Sequence, residues 1–437
     1  DARGLAGATG LTVKEIETSG TIAVCKFHRL MITSPLATAD GYAWADTVAH
    51  EFTHLVISKK SRNSIPIWLH EGIAKYFESR WKGPAGQALT PYSEKLLADA
   101  VRTGKFITFA QMHPSMAKLP SQQDAALAFA EVFTVIEFLA QKYGTGAIAQ
   151  VLTLAGDGVP LEKALVQAFG ADLKGIEKAW KRYLSKRPFR EVPGATPEKI
   201  RLATGNEDPE KEKPLESMPD KAVHDFARLG ELLQLRGQPK AAALEYEKAM
   251  TKGGAHYSTL VNRLAKAYLE TDRSAEALRL LDHEVASHPD DSDAHLLAGR
   301  IRLKREEWDR AREHFESVRL QNPFNPEIHA ALAALYKGTG NGAASAQEQH
   351  FLELARVPRP ARPYELPTPS AGEARLRIVS VPWGAVRIDG AAPVPTPAWD
   401  HAVKAGPHTL ELVRPEAAGA PQSLTVGAGE TATVVLR

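Results

Sequence analysis

Cysteine, long apolar runs and an excess of either charge are all scarce or missing in this chain. Cys25 is the only cysteine among its 437 residues, which excludes a framework of internal disulfides but is compatible with any compartment. No apolar run approaches 18 residues, so the sequence predicts no transmembrane segment. Lys and Arg (54) nearly balance Asp and Glu (52). No clustered basic stripe of the kind that nucleic-acid binding requires is present, so we expect no nucleic-acid partner.

The composition is that of a folded protein with several domains. Apolar residues make up 43% and charged residues 24%, as in a soluble globular protein, and 437 residues are too many for one ordinary core. The chain opens at Asp1, within a Gly- and Ala-rich stretch. Either a signal peptide was removed or the chain was truncated, and the sequence does not separate these two possibilities.

The N-terminal part combines a short β segment with a long helical stretch. Thr21–Phe27 is rich in β-branched residues and predicts a strand. From about Gly41 to about Leu184 the pattern is helical. The residues from Pro188 to Pro219 are polar, charged and interrupted by prolines, a composition that cannot bury a core and therefore predicts a linker.

Residues 221–357 repeat with a period of 34 or 35 residues. Small residues recur inside a helical pattern, at Gly230, Ala265, Gly299 and Ala333. Twelve positions after the first three come alanines, and a large residue follows four positions after each: Ala242 and Tyr246, Ala277 and Leu281, Ala311 and Phe315. This pattern resembles the tetratricopeptide repeat, in which small residues lie where two helices touch. The resemblance implies an all-α solenoid with a degenerate last unit, and a protein partner on its concave surface.

The C-terminal residues follow the period of β-strands. Five segments separated by Gly and Pro turns predict a small antiparallel sandwich: Leu376–Val381, Ala385–Ile388, Thr409–Val413, Ser423–Val426 and Thr431–Leu436. Residues 380–390, with Gly384-Ala385 and Asp389-Gly390, followed by Thr396-Pro397 and Gly406-x-His408, resemble a PEGA module, a small β domain common on prokaryotic envelope proteins. Trp383 differs from that module, which usually has Glu at this position.

His50 and His54 lie four positions apart within a helical pattern. On a helix this spacing places both imidazoles on one face, one turn apart, where they can bind a single metal ion. Glu51 lies about 100° round the helix axis, too far to join them as a ligand but placed to take a proton from a metal-bound water. Zinc is the expected metal, since it accepts two nitrogens, one carboxylate and a water.

A second predicted helix contains a candidate for the third ligand. Pro66 suits the first turn of a helix, and the residues after it predict one apolar face: Trp68, Leu69, Ile73, Tyr76 and Phe77. Glu71 would project from this helix towards the helix of His50 and His54. The sequence therefore predicts a metal site between two helices.

The pattern His-Glu-x-x-His at 50–54, followed by Trp-Leu-His-Glu-Gly at 68–72, resembles the gluzincin superfamily of zinc peptidases. The closest resemblance is to the bacterial peptidase-MA-like group, often fused to tetratricopeptide repeats, and it covers most of residues 1–185. It implies that Glu71 is the third zinc ligand. Relatives usually carry a tyrosine where this chain has Phe129, and the phenol would stabilise the oxyanion. Tyr92 is an alternative donor.

Several features allow two interpretations. His70 points to a different helix face from Glu71 and is either a surface residue or one that lies behind the ligands. Asp46 would either orient an imidazole or serve as an acid at the helix N-terminus, and Glu78 is equally open. The whole region is either an active peptidase or a catalytically weak or inactive zinc-binding domain in a protein-interaction scaffold.

The sequence thus predicts a multidomain protein with five segments: an α+β zincin-like metallopeptidase domain (1–187), a linker (188–220), an all-α tetratricopeptide-repeat solenoid (221–357), a Pro-rich linker (358–373) and a small all-β sandwich (374–437). The expected activity is zinc-dependent hydrolysis of a peptide or protein substrate, with the strand Thr21–Phe27 holding an extended peptide by β-addition. The β module and the missing start lead us to expect export to a bacterial cell envelope or periplasm.

Overall fold

The computed structural model describes residues 22–26, 29–38, 41–113, 115–190, 218, 220–357, 370–381, 383–413 and 420–436. Most of both predicted linkers lies outside these ranges, and the domain boundaries stay predictions. The described residues form a helical N-terminal region, a helical repeat region and a small β region, as the sequence predicts. None of the helices in these ranges is both long and apolar enough to cross a membrane.

The N-terminal region begins with a β-hairpin and continues with helices. Strands β1 (Ala23–Lys26) and β2 (Arg29–Ile32) pair antiparallel. Thr21 and Phe27, the ends of the predicted strand, lie outside the described residues. The helices follow in chain order: α1 (Trp44–Ser61), α2 (Ile67–Phe77), α3 (Pro91–Thr103), α4 (Gln122–Tyr143), α5 (Thr145–Gly156), α6 (Leu161–Phe169) and α7 (Leu173–Leu184). The β structure described in this region is the hairpin alone, so the zincin-like α+β class stays a prediction.

Helix α1 carries compensating charges at both ends. Asp46 lies in its first turn, and Lys59 and Lys60 lie in its last turn, where each opposes the helix dipole. The helix is closed by Arg62, whose left-handed φ of 49° lets its backbone N–H donate to the Ser58 carbonyl. It therefore runs without interruption through both predicted histidine ligands.

Helix α2 packs closely against α4 through Gly72. It begins directly after Pro66, and its apolar face is largely buried. A Cβ atom at Gly72 would lie 2.9 Å from the carbonyl oxygen of Val132 and 3.0 Å from the Ile136 side chain, so glycine is needed for this approach. The neighbouring Glu71 is thereby held on a helix that is anchored in the core of the N-terminal region.

The repeat region consists of paired helices: α8 (Lys221–Leu235) with α9 (Pro239–Thr251), α10 (Ser258–Glu270) with α11 (Ser274–Ser287), α12 (Ser292–Lys304) with α13 (Trp308–Gln321), and α14 (Pro326–Gly338) with α15 (Gly342–Arg356). A Cβ atom at Gly230 would lie 2.5 Å from the Tyr246 ring, and Gly299 packs in the same way against Phe315. These contacts explain the recurring small residues and confirm the predicted helical repeats. Ser345, in the degenerate unit, donates its hydroxyl to the Ala333 carbonyl at 2.9 Å.

The β region contains the five predicted strands and two that the sequence analysis missed. In chain order they are β3 (Glu373–Ser380), β4 (Ala385–Ile388), β5 (Val394–Pro395), β6 (Ala398–Lys404), β7 (Gly406–Val413), β8 (Gln422–Val426) and β9 (Thr431–Leu436). They form sheets of order β6-β3-β9 and β5-β4-β7-β8. The expectation of a purely antiparallel module is wrong, because the chain changes sheets after β8 and β9 returns parallel to β3.

Backbone hydrogen bonds join α1 to the other two regions near its opposite ends. Before the helix, the Tyr42 N–H donates to the carbonyl oxygen of Gln321, at the end of α13, over 3.0 Å. After the helix, the Trp383 N–H of the β region donates to the carbonyl oxygen of Arg62 over 2.6 Å. Both the repeats and the β region therefore contact the segment that carries the histidine pair.

Candidate metal centre

The three predicted ligands converge between α1 and α2. The Oε2 atom of Glu71 lies 3.4 Å from Nε2 of His50 and 3.5 Å from Nε2 of His54. In a tetrahedral site with bonds of about 2.0–2.2 Å, two ligand atoms stand roughly 3.3–3.6 Å apart. These separations, and the donor set of two imidazoles and one carboxylate, fit a zinc ion.

The second ring nitrogen of each histidine is engaged elsewhere. Nδ1 of His50 lies 3.1 Å from Oε2 of Glu78, and Nδ1 of His54 lies 2.7 Å from Nδ1 of His70. Both Nε2 atoms therefore remain on the side of Glu71. Of the two interpretations of Glu78, the structure favours the one in which this residue orients an imidazole.

Glu51 lies beside this trio and is almost completely buried, with 8% of its surface exposed. One ligand atom each from His50, Glu51 and His54 also falls within 4.8 Å of the others, so Glu51 is a rival third ligand. We prefer Glu71, because a single oxygen of its carboxylate is nearly equidistant from both Nε2 atoms.

Burial and hydrogen bonds shift the pKa values of His50 and Glu71 in opposite directions. Burial alone would lower the pKa of His50, but hydrogen bonds to Glu71 and Glu78 outweigh it and raise that pKa to about 9. Burial alone would raise the pKa of Glu71, and the hydrogen bonds to His50 and His54 outweigh it, so the pKa is lowered. An anionic Glu71 among imidazoles suits a cation.

Two neighbouring groups are shifted mainly by burial. Burial, together with the charge of His54, lowers the pKa of His70 to about 3, so its imidazole is neutral at physiological pH. Burial raises the pKa of Glu51, and a hydrogen bond from the backbone N–H of Cys25 opposes this rise. That hydrogen bond also places β1 next to Glu51. A raised pKa suits a group that must accept and release a proton.

Asp46, which the sequence left open, is bound by residues outside the trio. Asp46 accepts hydrogen bonds from Trp81 Nε1 at 2.8 Å and Lys82 Nζ at 2.7 Å, so both of its carboxylate oxygens are engaged away from His50. Of two further histidines in the N-terminal region, which the sequence predicts to be structural, His113 is exposed and His28 lies outside the described residues.

Phe129 and Tyr92 offer no new oxyanion donor in the described contacts. Phe129 is half-buried on α4 and packs against the apolar core of the N-terminal region. Tyr92 lies on α3, where burial raises its pKa and the charge of Lys95 opposes that rise.

Sequence reasoning missed the contribution of Ser58 and left that of His70 open. The Ser58 hydroxyl lies 3.1 Å from Nε2 of His70. One weak signal was available, because Ser58 follows His54 by one helical turn and so shares its face. The distance between α1 and α2, which brings His70 to this position, could not be read from the sequence.

Comparison with known proteins assigns the two helical regions. Residues 7–186 match the Peptidase MA superfamily, and residues 275–335 match the tetratricopeptide repeat. No curated protein matches the chain. The crystal structure of MamA is similar with 19% identity and a TM-score of 0.29, over 32% of this chain and 81% of that one. A second MamA structure (AMB-1) has 19% identity and a TM-score of 0.28, over 33% and 85%.

Structural similarity at these TM-scores carries no argument about this chain. The two sequence matches agree with the helical regions that the structure describes and with the residues of the histidine motif. The chain therefore contains a Peptidase MA superfamily domain at residues 7–186, followed by tetratricopeptide repeats at residues 275–335.

Proposed function

We propose that the N-terminal domain is a zinc-dependent peptidase of the gluzincin type, with His50, His54 and Glu71 as metal ligands. The observation that carries this proposal is the position of Glu71 Oε2, 3.4 and 3.5 Å from the two Nε2 atoms. The match of residues 7–186 to the Peptidase MA superfamily supports peptide-bond hydrolysis as the reaction. Zinc bound there would lower the pKa of a bound water to about 7 and polarise the carbonyl of a peptide bond.

Glu51, Glu78 and His50 each have a further role in the proposed reaction. Glu51 accepts the proton of the attacking water and passes it to the leaving amine, a role that suits its buried carboxylate with a raised pKa. Glu78 holds the His50 ring through Nδ1. Because a metal-binding imidazole must be neutral, metal uptake releases the proton that His50 otherwise holds.

The substrate is an extended peptide that lies along β1. This strand pairs with β2, and the N–H of Cys25 within β1 contacts Glu51. A peptide added to the hairpin would therefore run close to the base and the metal ligands. The tetratricopeptide repeats would recruit the protein substrate or another protein partner on their concave surface.

A second candidate function is a zinc-binding domain with weak or no turnover in a protein-interaction scaffold. Phe129 favours it, because a phenylalanine has no hydroxyl to stabilise an oxyanion and the loss of one such donor costs about 10²–10³ in rate. The PEGA-like character of the β region supports a place in a bacterial cell envelope or periplasm for either function.

The test compares zinc content and peptide cleavage in the wild-type chain, Glu51→Gln and Glu71→Ala. For Glu51→Gln we expect zinc to be retained and cleavage to fall by at least about 10²-fold, because the base is lost and the ligands remain. For Glu71→Ala we expect loss of stoichiometric zinc. Glu313→Gln, which changes an exposed carboxylate of the repeats, is the matched control.

The wild-type result separates the two candidate functions, and each variant tests one residue role. Zinc binding without measurable cleavage in the wild-type chain would favour the scaffold. Unchanged cleavage in Glu51→Gln would remove this residue from the mechanism, and unchanged zinc content in Glu71→Ala would contradict the proposed ligand set.

A further inference from the structure

The two histidines of the metal centre are supported in different ways. Nδ1 of His50 contacts a carboxylate, since Oε2 of Glu78 lies 3.1 Å away. Nδ1 of His54 instead contacts another imidazole, since Nδ1 of His70 lies 2.7 Å away. A carboxylate can only accept a hydrogen bond when ionised, whereas a neutral imidazole has one donor and one acceptor nitrogen. The support of His54 therefore depends on which nitrogen of His70 carries its proton.

One arrangement of protons satisfies the whole chain of contacts. A ligand nitrogen needs its lone pair, so His54, whose Nε2 faces Glu71, carries its proton on Nδ1. That proton is donated to Nδ1 of His70, which must then be the acceptor. His70 consequently carries its proton on Nε2 and donates it to the Ser58 hydroxyl, 3.1 Å away.

This arrangement also excludes His70 as a ligand. Nδ1 of His70 faces His54 and its Nε2 faces Ser58, so neither nitrogen is available on the side of Glu71. Ser58 is itself buried, with 8% of its surface exposed, and it sits on α1 one turn after His54. His54 and Ser58 both lie on α1, and His70 of α2 links them by one hydrogen bond to each.

We propose that His70 is a positioning residue that, together with Ser58, holds His54 in the tautomer with a free Nε2. The inference rests on the proposed zinc site and adds to it a neutral imidazole as the support of one ligand. Hydrogen-bonded partners of this kind fix the orientation of a metal-binding histidine and raise its basicity. The site therefore has one anionic and one neutral support.

The experiment uses the full chain and measures zinc affinity by competition with a chelator, together with the visible spectrum of the Co²⁺-substituted protein. His70→Ala removes the acceptor, and we expect zinc affinity about 10–100-fold weaker and a shifted Co²⁺ spectrum. His70→Asn places an amide oxygen where Nδ1 stood and should restore most of the affinity. His113→Ala removes an exposed histidine and should change neither reading.

A second measurement does not depend on any variant being folded. Long-range ¹H–¹⁵N correlation spectra of the zinc-loaded wild-type chain report which ring nitrogen of each histidine is protonated. We expect protons on Nδ1 of His54 and on Nε2 of His70. A proton on Nδ1 of His70 would overturn the inference.

The outcomes separate this inference from the function on which it rests. A wild-type chain that binds no zinc would overturn both. Normal zinc uptake by the wild-type chain, with unchanged affinity and spectrum in His70→Ala, would overturn the role of His70 alone. Loss of affinity in His70→Ala without rescue by His70→Asn would also count against a role as acceptor.

Discussion

Glu131 is a buried acid that plays no part in the proposed metal centre. Its side chain, on α4, has no exposed surface, and its Oε1 accepts the backbone N–H of Ile107 at 3.0 Å. Its Oε2 has no hydrogen-bond partner among the described residues. Burial raises the pKa of Glu131 to about 8, against an ordinary value of 4.5, although the Ile107 hydrogen bond opposes the rise. The carboxyl is therefore protonated in the folded state at neutral pH.

The raised pKa predicts that stability falls as the pH rises. Between pH 4.5 and about 8 the folded state binds more protons at Glu131 than the unfolded state does. The free energy of unfolding therefore decreases with pH across this window and is constant above it. Glu131→Gln should remove this decrease and make the chain more stable than the wild type at pH 9 by about 2–4 kcal/mol.

Denaturant unfolding of the N-terminal domain within the full chain, at pH 5, 7 and 9, measures this effect. The relevant quantity is the difference between Glu131→Gln and the wild type, since other groups titrate equally in both. Glu313→Gln, at an exposed position, should show no such difference. A difference that stays constant from pH 5 to pH 9 would contradict the prediction.

The facing positions of His50 and His54 could be predicted from the sequence because they follow from local geometry. His50 and His54 share one helix, and their four-residue spacing alone places them on one face. The roles of Glu78 and His70 depend on the approach of α2 to α1, which is governed by distant contacts such as that of Gly72 with α4. Such packing has no local signal, so these two roles stayed open until the structure was known.

At the level of secondary structure, the periodicity of the sequence predicted the helical repeats better than it predicted the strands and their pairing. The helical repeats are visible in the sequence because a small residue recurs where paired helices touch, and in two units it lies against a ring, as Gly299 does against Phe315. Strand β6 was missed because Asp400, His401 and Lys404 interrupt its apolar pattern. The parallel pairing of β9 with β3 was missed because the strand alternation is the same in parallel and antiparallel pairs.

Helices α12 and α13 of the repeats are joined by a chain of uncharged histidines. Nε2 of His295 lies 2.9 Å from the Pro289 carbonyl, which can only accept, so His295 carries its proton there. Its Nδ1 then accepts from Nδ1 of His314 at 3.0 Å. Nε2 of His314 in turn accepts from Nε of Arg302 at 3.2 Å. One protonation state satisfies all three contacts, and in it both imidazoles are neutral.

Acid is expected to weaken this part of the repeats. Burial, with the charges of His295 and Arg302, lowers the pKa of His314 from 6.5 to about 4, and Asp282 only partly opposes this. Burial also lowers the pKa of His295, although the Pro289 hydrogen bond and Asp290 oppose the shift. The unfolded state therefore binds more protons between pH 6.5 and about 4, and the free energy of unfolding falls as the pH falls through this window.

His314→Leu should flatten this dependence, because leucine does not titrate. We expect the wild type to lose on the order of 1–2 kcal/mol more than His314→Leu between pH 7 and pH 4.5, a value reduced by the partial exposure of the ring. Urea unfolding of the repeats in the full chain measures it. His283→Gln, at an exposed position on α11, is the control, and equal losses in the wild type and His314→Leu would contradict the prediction.

In the whole molecule, the segment before α1 joins the helix of the histidine pair to the repeats. Gly41 has a φ of +77°, and a Cβ atom there would lie 2.5 Å from the Gln321 carbonyl oxygen and 2.7 Å from Cβ of Asn322. The next residue, Tyr42, is 1% exposed and donates its N–H to the same carbonyl at 3.0 Å. The helix of the histidine pair thus begins on the end of α13, and the repeats are fixed to the peptidase domain at this point.

The contact at Gly41 can be tested with a control that has the same backbone cost. Gly104 closes α3 with a φ of +71°, and a Cβ atom there would meet no atom within 4 Å. Gly41→Ala and Gly104→Ala should therefore share a cost of about 1–2 kcal/mol for a left-handed alanine. Only Gly41→Ala should also push the end of α13 away from α1.

Small-angle X-ray scattering of the two variants distinguishes these effects. We expect a larger radius of gyration and separate unfolding transitions for the peptidase domain and the repeats in Gly41→Ala, because their shared contact is lost. Gly104→Ala should keep the wild-type radius and differ only in the stability of the N-terminal domain. Identical scattering from the two variants would mean that the repeats are held in place by other contacts.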